Sequence, residues 1–436
     1  MDIDKISRIF SREKRIKYWD FRLQSNKSTD LFFSNKRLSE SVSQSKEYYS
    51  LRVLIGNAWG FVSSSNKQAL ARNIEKAIKI AKALDRMRKG RVFYDSGKSY
   101  IENYVLDPKI SPETSNDEKI EIVREKILEG TDVSYQDIKS TKTFLNSEGS
   151  YIKQTIFYTS AEITAIKKQF GEFFEFSSTI GGLGGLENIE LLKDESERCL
   201  SKIRDLMKAR QAKSRPKSLI LDQGLSAVFM HEIIGHAAEA DDAVSEDSYL
   251  TGFMNKEVSS EELTVYDDPL LNSFGFYLFD DEGIKAQKKP VILNGRLVSF
   301  LHSRSTGKST GNGRAENPQY MPSPRISNIV FNGEYDFEEM LSEVKNGLYV
   351  VGNNGGETDT KNGLFEFPSK IAYIIKNGEI REPVKSYVLS GRSIEALRGI
   401  RAVGNDAKET VLMCEKNSQL IPTGNYNPSI LLEMKR

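Results

Sequence analysis

Two cysteines, Cys199 and Cys414, are all that 436 residues contain. A disulfide framework is therefore excluded, and the usage fits a reducing, cytosolic compartment. Net charge is nearly absent too: 62 basic side chains stand against 61 acidic ones, a formal charge of +1. That balance provides no global basic field for gripping nucleic acid and argues against direct DNA binding. No apolar run approaches the roughly 18 residues that a membrane helix needs. The start, Met1-Asp2-Ile3-Asp4-Lys5-Ile6, lacks the basic region, apolar core and cleavage site of a signal peptide. The expectation is a soluble, cytoplasmic protein with no membrane role. Histidine is scarce, with only three, and two of them, His231 and His236, flank one glutamate.

What is present describes a globular chain, 38% hydrophobic and 28% charged. Its length exceeds one ordinary core, so two domains are expected. Residues 2–16 read as a short amphipathic helix. From Tyr18 to Ser64 apolar and polar residues alternate, as in Trp19, Phe21 and Leu23, which predicts a half-buried antiparallel meander. A helix follows over about 66–89. The pattern repeats with a helix ending near Leu128, strands from Val133 to Ser178, and a helix over about 187–212. Helix-flanked meanders at 1–90 and 115–212 suggest an internal duplication.

Lys213 to Lys217, basic and carrying Pro216, reads as the linker between domains 1–212 and 217–436. A helix over about 226–239 opens the second domain. Short strands follow, punctuated by Asn294-Gly295, Asn332-Gly333 and Asn377-Gly378 turns. The fold class is α+β: an N-terminal α/β domain of helix-flanked antiparallel meanders, then a mostly antiparallel, barrel-like β domain carrying the helix of His231 and His236.

Zinc-hydrolase helices space two histidines four residues apart, about 40° around the axis. Here the spacing is five, about 140° on a regular helix, too wide to share an ion. A single π-turn would restore a common face, and so would unwinding at Gly235. Without either, the pair reads as core and boundary residues.

Met230 to Asp241, MHEIIGHAAEAD, resembles the His-Glu-x-x-x-His helix of the TldD/PmbA metalloprotease family, also named modulators of DNA gyrase. Further stretches are similar to family motifs: Tyr266-Asp267-Asp268-Pro269, Phe279 to Gly283, Ser309 to Arg314, Pro324 to Asn328, Gly355 to Asp359, Val403 to Asp406 and Met413 to Lys416. The resemblance covers the whole C-terminal half. It implies one Zn2+ per chain held by His231, His236 and Cys414, with Glu232 as general base, in a protease acting on peptides or unfolded protein segments. Such a set leaves one position open for a water whose pKa falls to about 7.

Inactive paralogues lack the motif, so the chain looks like the TldD-type catalytic subunit. The resemblance also implies a dimer, homomeric or with an inactive paralogue, enclosing the site. Exposed sheet edges in the first domain could bind an extended substrate by strand addition. The alternative is a non-catalytic regulatory subunit acting on a partner such as DNA gyrase or a topoisomerase. Arg304, Asn312, Arg314 and Arg325 are candidates for orienting peptide carbonyls or a carboxylate terminus, and His302 for the wall of the site. Asp280 and Asp281 are expected as solvated turn residues, and Cys199 as structural.

Overall fold

Long strands build the first half. The computed structural model describes residues 3–87, 92–212 and 216–434; the predicted linker at 213–217 therefore lies partly outside the described residues. After helix α1 (Ile3–Phe10), strands β1 (Ile16–Ser34), β2 (Arg37–Ile55) and β3 (Ala58–Ser64) form an antiparallel meander, followed by helix α2 (Leu70–Met87). A short strand β4 (Ile101–Val105) and helix α3 (Asn116–Lys126) precede the second meander, β5 (Thr131–Asn146), β6 (Tyr151–Gln169) and β7 (Glu172–Leu183), and helix α4 (Leu192–Lys208).

The two meanders join through their first strands into one sheet of order β3-β2-β1-β5-β6, with β4 and β7 both pairing with β6. The β1–β5 pairing is antiparallel, from Asp20 opposite Asn146 to Ser34 opposite Asp132. Each unit thus runs strand, strand, strand, helix, with its strands ordered outward from the centre. Hairpin geometry is local: Asn35 and Lys36 both have positive φ (48° and 69°), as a two-residue turn of primed type requires.

At the base of the first meander alternation does not mark a solvated face. On one side Trp19, Phe21, Leu51 and Val53 pack with Ile74, Ala77 and Ala81 of α2. Gly60 allows the close approach, since a Cβ there would lie 2.0 Å from the Ala77 carbonyl oxygen. On the other side Tyr18, Asp20, Arg22 and Arg52 are buried as well. Arg52 ion-pairs with Asp20 at 2.6 Å and with Glu282 at 2.5 Å; Arg22 donates to the Tyr320 carbonyl. Around these residues the polar face is covered by the C-terminal half, not by water.

Among the described residues that half contains two large, mostly antiparallel sheets and a two-stranded ribbon, Gly313–Arg314 with Ser323–Pro324. One runs in the order Arg296–Leu297, Lys289–Leu293, Val265–Asp267, Asn328–Val330, Gln419–Asn427, Lys408–Lys416. The other centres on Leu364–Lys376, Asn346–Asn353, Ser218–Leu221 and Ile430–Glu433. Helix α5 (Gln223–Met230) lies between them, its Leu225, Phe229 and Met230 sharing a core with Val265, Ile292 and Ile329 of one sheet and Leu219, Val350 and Leu432 of the other. The architecture is α+β. Asn294-Gly295 and Asn377-Gly378 adopt left-handed turns. Asn332-Gly333 does not; Gly333 instead packs where a Cβ would meet the Val403 carbonyl. Among the described residues no helix is long and apolar enough to cross a membrane.

Candidate metal centre

Asp222 starts the helix that carries the site, its carboxylate accepting from the Leu225 N–H at 2.8 Å, an N-cap of the preferred type. α5 ends at Met230, and His231–Gly235 form a single π-turn. Its closure is i→i+5, the His236 N–H donating to the His231 carbonyl. The extra residue is thereby absorbed: the imidazole centroids of His231 and His236 lie 5.1 Å apart. The Tyr249 hydroxyl donates to the Ile233 carbonyl within the turn.

Gly235 does not unwind the chain. Its φ and ψ, −56° and −62°, are helical. What it supplies is room, because a Cβ there would sit 2.5 Å from Cδ1 of Ile326.

Cys414 arrives from a distant segment. It lies on Lys408–Lys416, the end strand of its sheet, opposite Ile421. Its sulfur stands 3.4 Å from Nε2 of His236. One ligand atom each from His231, His236 and Cys414 all fall within 4.8 Å of one another, and all three residues are buried. Ligands on a tetrahedral zinc are roughly 3.3–3.8 Å apart. The set fits a zinc ion in chemistry as well: two imidazoles and a thiol are ligands of borderline softness. His231 also keeps Nδ1 buried with no hydrogen-bond partner among the described residues, which is unusual for a ring held only by its own fold.

Electrostatics favour the ligand form of the cysteine. Burial works against ionisation, yet His236 and then His231 hold the Cys414 thiol well below its ordinary range. Burial likewise opposes a charge on His236, but Cys414 and Glu239 raise its proton affinity well above normal. The thiolate is the form that binds metals.

Glu239, fully buried, accepts from three directions. His236 Nδ1 lies 3.2 Å away, Lys416 Nζ 2.8 Å, and the Ile326 N–H 3.1 Å. Despite its burial, His236 and Lys416 keep it ionised far below the usual carboxylate range. Such a carboxylate fixes the tautomer and orientation of a ligating histidine. Arg325 braces the cysteine, donating from Nη2 to the Cys414 carbonyl at 2.8 Å and to its sulfur at 3.3 Å. Glu232, partly exposed, has Oε1 4.0 Å from His236 Nε2. It faces a cleft of about 730 Å³ bounded by Leu412–Asn417 on one side and Asn353 and Gly355–Thr358 on the other.

The remaining predicted residues separate. Arg325 is beside the centre, but its contacts are to the chain. Asn312 is buried, donating to Asp267 at 2.7 Å and to the Arg325 carbonyl at 3.1 Å. Arg314 donates to the carbonyls of Ile326 and Pro422. With Ser327 bound to Asp267 through its N–H and its hydroxyl, both at 2.7 Å, these residues strap the segment carrying Arg325 and Ile326 into place. Arg304 makes no contact with His231, His236 or Cys414 among the described residues and is ion-paired with Glu148 at 2.8 Å. His302 is half-buried, with Nδ1 3.3 Å from the Thr306 hydroxyl, and does not line the cleft. Asp280 and Asp281, expected to be solvated, are buried. Asp280 accepts from the N–H groups of Glu282, Ile284 and Gly313 at 2.9 Å each, and Asp281 pairs with Lys142 at 2.9 Å. Burial and Glu282 push Asp280 up to about 7. Glu239 and Lys416 escaped the sequence reading, although Glu239 lies three residues past His236, one helical turn on.

Three family models match the chain in order: PmbA/TldA metallopeptidase domain 1 over residues 19–83, the central domain over 109–215 and the C-terminal domain over 214–435. The chain belongs to the PmbA/TldA metallopeptidase family. A relative named "Metalloprotease" from Methanothermobacter thermautotrophicus is 32% identical over 435 residues, covering 96% of this chain and 94% of that protein. The "Zinc metalloprotease TldD homolog" of Saccharolobus solfataricus is 26% identical, covering 88% of each. Among solved structures, TldE from Thermococcus kodakarensis superposes with a TM-score of 0.78 at 20% identity over 98% of both chains, which establishes the shared fold. The metallopeptidase models extend through the N-terminal half, where the motif resemblance was weakest.

Proposed function

We propose that the chain is a zinc-dependent metallopeptidase hydrolysing peptides or unfolded protein segments, with His231, His236 and Cys414 as metal ligands and Glu232 as general base. The observation that carries this reading is the convergence of three buried donor atoms within 4.8 Å beside a carboxylate open to a cleft. A bound zinc supplies Lewis acidity toward a peptide carbonyl and acidifies a water. Glu232 takes a proton from water at the mouth of the cleft and delivers it to the departing amine. Glu239 holds His236 in one orientation, and Arg325 holds Cys414. In this reading the arginines and Asn312, candidates for substrate contact or for structural loop pairing, serve as buttresses.

A dimer, with a second copy or a TldE-type paralogue, is part of this proposal. So is substrate-strand binding by the first domain, whose sheet ends on β3 at one side and on β4 and β7 at the other. The Glu232→Gln variant tests the reading. Zinc content measured by mass spectrometry should stay near one per chain, while turnover of an unstructured fluorogenic peptide falls about 10²–10⁴-fold. A wild-type chain with full zinc that cleaves nothing, alone or with a TldE-type partner, overturns the proposal.

A further inference from the structure

We infer that the cleft beside the metal centre selects polypeptide segments carrying positive charge, and that Glu357 and Glu415 impose the preference. The inference rests on the peptidase reading and names its substrate class. Four acidic residues line the cleft, Glu232, Asp242, Glu357 and Glu415, against one cation, Lys416. That cation is already committed: its ammonium lies 2.8 Å from Glu239, 2.8 Å from Asp241 and 3.5 Å from Asp242. It has no charge left over for the cleft.

Glu357 and Glu415 are exposed. Among the described residues neither side chain makes a hydrogen bond or ion pair. Glu357 also sits directly opposite Glu366 across paired strands, an arrangement of like charges that disfavours the pairing and that a cation between them would relieve. Glu415 follows Cys414 on the cleft's edge, one residue from a metal ligand. A divalent ion held by a thiolate and two neutral imidazoles adds one net positive charge and leaves the acidic groups in the majority.

Lysine and arginine side chains have the complementary charge, and long flexible stems let them reach either rim. Acidic segments are repelled. The field of a lined cleft concentrates ligands of opposite sign and weakens as salt screens it. The preference is therefore electrostatic and broad, for local charge and not for one sequence.

The test uses the full-length, zinc-loaded chain and three labelled peptides of one length with four Lys, four Gln or four Glu around the same central residues. Fluorescence anisotropy reads binding at low and high ionic strength, and turnover is followed in parallel. At low ionic strength the Lys peptide should bind about tenfold or more tightly than the Glu peptide, and the gap should narrow with salt. In the Glu357→Gln/Glu415→Gln double variant the ratio between the two peptides should shrink by about threefold or more, with zinc content unchanged. Equal binding, tighter binding of the Glu peptide, or a ratio that persists in the double variant overturns the inference. Charge-selective binding with no cleavage of any peptide leaves the preference standing and tells against the peptidase reading instead.

Discussion

Two of the buried groups of charged side chains, one around the candidate metal centre and one beneath the N-terminal sheet, differ in how charge is met. Beneath the sheet, cations and anions of the chain meet each other. Arg52 lies 2.6 Å from Asp20 and 2.5 Å from Glu282, Arg304 lies 2.8 Å from Glu148, and each guanidinium also covers an aromatic ring, Trp59 and Tyr18 respectively. At the metal centre, two imidazoles and a thiol converge on one another, and the nearby cations Arg325 and Lys416 are turned to a carbonyl, a sulfur and carboxylates. Arginine and glutamate serve both. A closed set of opposite charges holds two halves of a fold together, whereas a set of electron donors facing inward is a place for a cation from outside. Burial and charge alone do not tell the two apart; the pairing does.

The sharpest way to break this contrast is to remove one member of each set. Cys414→Ser should abolish stoichiometric zinc, from near one per chain to below about a tenth, and peptide turnover with it, because hydroxyl oxygen is a poor substitute for thiolate. The fold should persist, as judged by circular dichroism. Unchanged zinc in this variant rejects the ligand set. Arg52→Met acts on the other cluster. It strands Asp20 and Glu282 in the interior and should cost about 3–5 kcal/mol of stability, read as a lower midpoint in urea, while the folded fraction still binds zinc at wild-type stoichiometry. If Arg52→Met instead strips the metal without destabilising the chain, the two clusters have been assigned the wrong way round.

Glu239→Gln should have a smaller effect. Glutamine keeps an acceptor for the Ile326 N–H but loses the charge that faces His236 and Lys416. Removing such an outer partner weakens zinc about 10–100-fold, measured by competition with a chromophoric chelator. An affinity indistinguishable from wild type would make Glu239 a member of the structural set.

How much of this contrast the sequence discloses depends on how local each determinant is. His231, Glu232 and His236 sit within six positions, so their pattern could be read directly, and the odd spacing pointed to a π-turn or to unwinding at Gly235, of which the structure has the first. Meanders and helices followed from alternation and helical period, which depend on near neighbours. Arg304, Asn312 and Arg314 could be read as substrate contacts or as loop-pairing residues, because polar side chains in a motif-rich loop carry no mark of what they face. Their partners, Glu148, Asp267 and the Pro422 carbonyl, come from other parts of the chain. The acidic turn at Asp280 and Asp281 looked solvated for the same reason; burial against the N-terminal sheet is a tertiary event. Likewise, the polar residues alternating with Trp19 and Phe21 could not reveal that a second domain covers them.

Gly235 offers the finest test, because it lies where a local reading and a tertiary one compete. As a flexible residue it would ease a break in the helix; as a small one it lets Ile326 pack against the π-turn. Its helical angles and the 2.5 Å that would separate a Cβ from Ile326 Cδ1 favour the second. Gly235→Ala should gain about 1 kcal/mol of helix propensity and lose about 1–3 kcal/mol to overpacking, a net loss near 1 kcal/mol. Because the Ile326 N–H donates to Glu239, zinc affinity should also fall by a few-fold. Ile326→Val removes the methyl group that clashes and should itself cost about 0.5–1.5 kcal/mol. The double variant should then be more stable than the two single losses added together, since the new Cβ fills the space left by Cδ1. Strictly additive losses would show that Ile326 is not what the glycine accommodates, and a stabilised single Gly235→Ala variant would show that the turn has room to spare.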